Sequence, residues 1–294
     1  FTGNNALLDP MRVDRPPIKI MPVTSNILQS YQHKGDYKIM IKQTALWKAL
    51  HLDDYNPPII AIVGAGGKTS LLYRLGEEAI AMNHSALLSG TTLFTLPKKE
   101  IQNQKTLEET NENLLNILTK EVFNSQVVIA KTGTAPKKRQ RPISVELIDK
   151  IAKDSQFRLI ALESDGSKMR PFKAPAVHEP VIPKSATHVI YVIGLSAVDK
   201  PLSEDYVHRS ELVRKIAGPA THCTIEVISK IATSLQGGKK GVNNRDFTIL
   251  INQSELNPSL ATELAKTIFE KGNSRVIVAS LRNIHHPILE IYQT

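Results

Sequence analysis

The residues most able to do chemistry form one short cluster, Gly64-Ala65-Gly66-Gly67-Lys68-Thr69-Ser70, between the apolar run 58–63 and a stretch with helical periodicity. A strand that turns directly into a helix leaves backbone N–H groups unpaired at the helix start, and these groups with the helix dipole attract an anion. Gly64, Gly66 and Gly67 let the backbone close around a phosphate, Lys68 supplies a cation, and Thr69 supplies a hydroxyl able to ligate Mg²⁺. Two residues, rather than the usual four, separate the first glycine from the Gly-Lys pair, so the cluster reads as a short variant of a phosphate-binding loop.

Phosphoryl chemistry also needs a carboxylate near the metal, at the end of a neighbouring strand. The run 157–162 delivers Glu163-Ser164-Asp165-Gly166 to that place. Asp165 is the candidate metal carboxylate, and Glu163 the candidate base or supporting ligand. Thr91 and Thr92, after a second strand, bring further hydroxyls to the metal or to a turn. Beyond Asp165 come Lys168, Arg170 and Lys173, which could clamp phosphate or an acidic substrate, and Pro171, Pro175, Pro180 and Pro183 stiffen the segment. His178 and Glu179 are candidate substrate-side acid and base groups. His208 and Arg209 follow later, with Arg209 placed to stabilise developing charge.

These residues need a scaffold, and the chain alternates apolar runs with helical periods. Strands are expected at 58–63, 86–89, 126–130, 157–162, 187–193, 247–251 and 275–279. Their near-continuous hydrophobicity suits strands buried on both faces. In the first helix Leu71, Leu72, Leu75, Ala79 and Met82 form one stripe; Thr106 with Glu109 reads as a capping box for the second; Asn257-Pro258 and Gly272 bound the last. The expected fold is α/β, a doubly wound, mostly parallel sheet with helices on both faces, in one nucleotide-binding domain over 40–294. Residues 1–39 read as a disordered or non-native extension, with the native start at or near Met40 and a short amphipathic helix over 40–50.

Composition narrows the setting. The 294 residues are 41% hydrophobic and 22% charged, which argues against extensive disorder. No apolar run reaches the roughly 20 residues of a membrane-spanning helix. A single cysteine, Cys223, excludes an internal disulfide and suits a reducing cytoplasm. The net charge of +9 raises the question of nucleic acid, but the basic cluster 136–142 has no interleaved aromatic residue, which argues against that partner.

Gly64–Thr69, Leu162–Ser167, Lys173–Pro183, Val192–Leu195 and Val207–Arg209 together resemble the YqeC family. Its members are described as accessory factors for selenium-dependent molybdenum hydroxylases, so the resemblance implies a P-loop NTPase-like protein that binds ATP or GTP with Mg²⁺. Its partners would be a molybdenum hydroxylase or the proteins that mature the hydroxylase cofactor. Where the family often carries an Asn-Lys-x-Asp element for guanine, this chain has Asn252-Gln253-Ser254-Glu255. Asn252 and Glu255 are the candidate base contacts, and guanine preference stays open. Three functions fit: an NTPase driving a maturation step, an ATP-dependent small-molecule kinase or ligase, and a nucleotide-gated, non-catalytic cofactor carrier.

Overall fold

The computed structural model describes residues 38–40, 45–154 and 156–293. The proposed extension at 1–39 therefore lies, save for its last two residues, outside the described residues. In chain order the strands are β1 (Lys38–Met40), β2 (Ile59–Gly64), β3 (Ala86–Gly90), β4 (Gln104–Glu108), β5 (Val127–Lys131), β6 (Gly133–Ala135) and β7 (Arg139–Arg141). They continue with β8 (Leu159–Glu163), β9 (Phe172–Lys173), β10 (His188–Gly194), β11 (Val207–His208), β12 (Asp246–Asn252), β13 (Arg275–Ala279) and β14 (Ile288–Gln293). The helices are α1 (Leu46–Ala49), α2 (Lys68–Ala81), α3 (Asn111–Lys120), α4 (Val145–Asp154), α5 (Ser210–Ala217), α6 (Ile225–Thr233) and α7 (Pro258–Gly272).

Ten strands form one sheet in the order β1-β14-β13-β12-β10-β2-β8-β3-β5-β4. Every pairing from β13 to β4 is parallel; β14 pairs antiparallel with β13 and with β1. Alternation along β2 sorts the core into two layers. Ile60 and Ile62 pack with α1 and the Leu71, Leu72, Leu75 and Ala79 stripe of α2, whereas Ile59, Ala61 and Val63 share a cluster with side chains of α3 to α7. One face is thus covered mainly by two helices and the other by five.

From β2 the chain runs to β3, β4 and β5, returns in β8 beside β2, and then passes to β10 on the other flank of β2. That reversal of direction places β2 at a topological switch point, where parallel sheets open a crevice at the carboxyl ends of their strands. Gly64, Gly90, Glu163, Gly194 and Asn252 all end strands at this edge.

Four differences from the sequence expectation have physical causes. Thr106 lies in β4, not at a helix start; Thr110 is the true cap, accepting the Asn113 N–H at 3.2 Å. As the outermost strand, β4 is only half-buried and mostly polar, so it carries no buried-strand signature. The strand β14 mixes buried and half-buried positions in the same way. Among the described residues of the 40–50 stretch, the helix is a single turn, Leu46–Ala49, while Met40 belongs to β1. The basic cluster 136–142 includes the turn and second strand of the β6–β7 hairpin rather than a plain loop.

The short α1 is held by a neighbour, not by its own length. Glu78 of α2 accepts the N–H groups of Leu46 at 3.1 Å and Trp47 at 2.9 Å, and burial raises the pKa of this carboxyl. Glu78→Ala should cost about 1–3 kcal/mol and move the emission of Trp47, the sole tryptophan, to longer wavelength. An unchanged unfolding midpoint and emission would contradict this anchoring role.

Candidate functional site

At the switch point the glycine loop folds against its neighbours. Gly64, Gly66 and Gly67 have φ of 90°, 85° and 150°, values that L side chains rarely adopt. At Gly66 there is also no room: an added Cβ would lie 2.3 Å from the Gly194 nitrogen. Asn252 pins the loop, its Nδ2 donating to the Gly66 carbonyl at 2.9 Å while its Oδ1 accepts the Leu281 N–H at 3.0 Å.

The start of α2 is left open. Helices α3, α6 and α7 have side-chain caps from Thr110, Thr224 and Asn257, but α2 begins after Gly67 with none. Within the loop the Gly64 N–H goes to Asp165 Oδ2 at 3.0 Å and the Ala65 N–H to the Val192 carbonyl at 2.9 Å. The N–H groups of Gly66, Gly67, Lys68, Thr69 and Ser70 find no acceptor among the described residues, whereas Leu71 N–H already bonds Gly67 O. Five open donors at and just before a helix N-terminus are suited to receive an anion.

Two carboxylates, Glu163 at the end of β8 and Asp165 just beyond it, face this start. Lys68 Nζ donates to the Gly64 carbonyl at 2.9 Å and lies 3.2 Å from Asp165 Oδ1 and 3.6 Å from Glu163 Oε1. Thr69 donates its hydroxyl to Glu163 Oε2 at 3.0 Å. Lys68, Glu163 and Asp165 are all buried, and Asp165 Oδ1 makes no hydrogen bond. The sequence-predicted trio of Lys68, Thr69 and Asp165 is therefore assembled, with Glu163 touching two of its members. Among the described residues no group of three or more His, Cys, Asp or Glu side chains could hold a metal, so a hard cation here would complete its shell from a bound anion and water.

The second cationic group sits differently from the expectation. Lys173 is fully buried, with its ammonium on Gly166 O at 2.6 Å, Glu179 Oε2 at 2.6 Å and Asp165 Oδ2 at 2.9 Å. Arg209 forks onto Glu179 at 2.5 and 3.1 Å. Burial alone would raise the Glu179 pKa, but these Arg209 and Lys173 hydrogen bonds outweigh it and hold the carboxyl at about 2. Facing Lys173 in the β9–β11 ladder is His208, whose pKa is lowered to about 4 by burial and then by Arg209, Lys173 and Lys168, against the pull of Glu179.

The remaining candidates scatter. Lys168 and His178 are exposed, and Arg170 donates to the Glu204 carbonyl at 2.7 Å. Ser70 is exposed on α2. Thr91 donates to the Val181 carbonyl at 2.6 Å, tying the end of β3 to the proline-rich segment; the Thr92 hydroxyl is buried without a hydrogen bond. Glu255 is exposed on a single turn after β12, and Gln253 accepts the Ser196 N–H at 3.1 Å. Sequence reasoning missed Tyr191, whose hydroxyl donates to the Lys173 carbonyl at 3.0 Å, and Lys240, which donates to Ala176 O at 2.5 Å and Val177 O at 3.0 Å. Neither lies in a motif that would single it out. A concavity of about 640 Å³ opens at the other sheet edge, by Asp246 and Arg275. Its Lys239 and Arg245 are bonded to backbone carbonyls, and it lies one seven-residue strand, about 20 Å, from the glycine loop.

The YqeC family model matches residues 60–211, which hold the glycine loop, Glu163, Asp165 and the Lys173–Arg209 network. This chain belongs to the YqeC family. The uncharacterized protein YqeC of Escherichia coli (strain K12) is 30% identical over 176 residues, 60% of this chain and 67% of that protein. The family-model match ends soon after Arg209, so β12 with Asn252, and Glu255 after it, lie beyond that match. No described helix is long and apolar enough to cross a membrane.

Two of the shifted groups, His208 and Glu179, contribute to the acid response of the fold beside other buried histidines such as His188. Unfolded His208 would take a proton near pH 6.5 but the folded form only near 4, so its stabilisation is lost as pH falls from 6.5 to 4. Glu179 contributes in the same direction between 4.5 and about 2. Urea midpoints of wild type should fall across both windows, and His208→Gln should flatten the upper one. An unaltered slope between pH 6.5 and 4 in that variant would contradict the assignment.

Proposed function

We propose that this protein is a Mg²⁺-dependent nucleotide-binding protein of the P-loop NTPase type, binding ATP or GTP. In keeping with the family resemblance, it would act as an accessory factor in maturation of a selenium-dependent molybdenum hydroxylase. The observation that carries the nucleotide reading is the uncapped start of α2, with five open N–H groups beside Lys68, Thr69 and Asp165. In this reading those N–H groups and Lys68 hold the phosphate chain, Lys68 leaving Gly64 O and the carboxylates to reach it. Thr69 Oγ1 and Asp165 Oδ1, the latter buried without a hydrogen bond, are the oxygens suited to a metal. Mg²⁺, when bound, neutralises phosphate charge and orients the phosphates. Glu163, the neighbour of both Lys68 and Thr69, is placed to accept a proton from an attacking water.

Charge balance supports the dependence on metal. The buried network pairs Lys68, Lys173 and Arg209 with Glu163, Asp165 and Glu179, so it has no cation in excess. A bare nucleotide phosphate would meet two carboxylates with only half-committed counter-charge, and a divalent ion reverses that sign. Asn252 has its amide engaged at both ends and Glu255 is exposed, which supports neither base over the other.

Calorimetric titration with ATP and with GTP, with and without Mg²⁺, tests the reading. Wild type should bind at least one nucleotide more tightly with Mg²⁺, and Lys68→Ala should weaken binding about 10- to 100-fold. Asp165→Asn should keep Mg²⁺-free binding but lose the Mg²⁺ enhancement. If wild type binds neither nucleotide, the proposal fails; equal binding by Lys68→Ala would remove the glycine loop from the site.

A further inference from the structure

We infer that Lys173 is a positioning residue: held by Glu179 and Arg209, it fixes the Asp165 carboxylate so that one oxygen is reserved for the metal that accompanies the nucleotide. The inference rests on the nucleotide reading above and assigns a task to the segment between Asp165 and Arg209. An ammonium has three N–H donors, and those of Lys173 face three acceptors, Gly166 O, Glu179 Oε2 and Asp165 Oδ2. With 0% exposure and no donor to spare, Lys173 cannot grip a substrate. What it does is load one side of Asp165. Oδ2 receives both Lys173 and the Gly64 N–H, while Oδ1 takes no hydrogen bond and is ion-paired at 3.2 Å with Lys68, the cation that the nucleotide reading draws away to phosphate.

The network behind Lys173 is built to keep it there. Glu179 accepts the Arg209 fork and Lys173, and the Lys173 carbonyl accepts the Tyr191 hydroxyl. The β9–β11 pairing fixes Lys173 opposite His208 and so brings Arg209 alongside. Burying three paired charges in this way is costly, and an apolar cluster of similar volume would stabilise a fold at least as well. The arrangement is accounted for by orientation: groups behind a metal ligand hold it in one pose, and their loss typically lowers metal affinity about 10- to 100-fold.

The test compares nucleotide affinity with and without Mg²⁺, and binding of Mn²⁺ in the presence of ATP or GTP followed by electron paramagnetic resonance. Lys173→Met should leave the Mg²⁺-free affinity within about twofold and weaken Mn²⁺ binding and the Mg²⁺ enhancement about tenfold or more. Arg209→Met should do the same to a smaller degree, and Arg209→Lys should recover part of it. Because Lys173→Met alone leaves Glu179 and Asp165 short of a partner, Lys173→Met/Glu179→Gln is measured beside it; the folded double variant should show the same selective metal defect. Equal losses with and without metal would show a merely structural role and overturn the inference, as would unchanged Mn²⁺ binding in either variant. A wild type that binds nucleotide while Lys173→Met behaves identically defeats this inference alone; a wild type that binds no nucleotide defeats the functional proposal and this inference with it.

Discussion

The carboxylate of Asp165 is the point on which the site turns. It accepts the first N–H of the glycine loop, stands against Lys68 at the start of α2, and receives Lys173 from the segment that follows it. Two parts of the chain distant in sequence, the glycine loop with the start of α2 and the segment 165–173, are therefore fixed relative to one another by a single 1% exposed group. A buried carboxylate is tolerable only because two ammonium groups and a backbone N–H surround it. Taking either ammonium away would leave charge unpaired in the interior, a cost that falls first on the pose of the Asp165 carboxylate.

Around that point the scaffold is regular where it must be stable and irregular where chemistry is proposed. The strands β2, β8 and β10 are buried along their whole length and hold the switch point rigid. At or just past their ends come three glycines at positive φ, a helix without a side-chain cap, and a buried carboxylate oxygen held only by an ion pair to Lys68. Such features cost stability, and their concentration on one edge is what a binding site requires of its fold. The wide concavity at the other edge lies at the amino ends of β12 and β13, away from the glycine loop.

How legible was this in the sequence? The buried parallel strands were, because continuous apolar runs such as 187–193 leave little alternative; so were α2 and α7, from the Leu71–Ala79 stripe and the Asn257-Pro258 start. The strands β4 and β14 were not: β4 is the outermost strand and mostly polar, and β14 mixes buried with half-buried positions, so neither shows a continuous apolar run. At the site, the glycine loop and Asp165 were legible because their local spacing is itself the geometry. The partners of Lys173 and Arg209 were not: whether a lysine reaches a substrate or a buried glutamate depends on the contacts that tertiary folding makes. Glu179, read as a substrate-side group, instead joins two cations inside the protein.

The central claim is that the open N–H groups at the start of α2 receive a nucleotide phosphate. The most direct measurement is a backbone amide NMR titration of the full chain with Mg²⁺ and ATP or GTP. The account predicts that the signals of Gly66, Gly67, Lys68, Thr69 and Ser70 move together and saturate with a single affinity. Saturation with those five amides unmoved, and the largest shifts instead around Asp246 and Arg275 at the opposite edge, would contradict it.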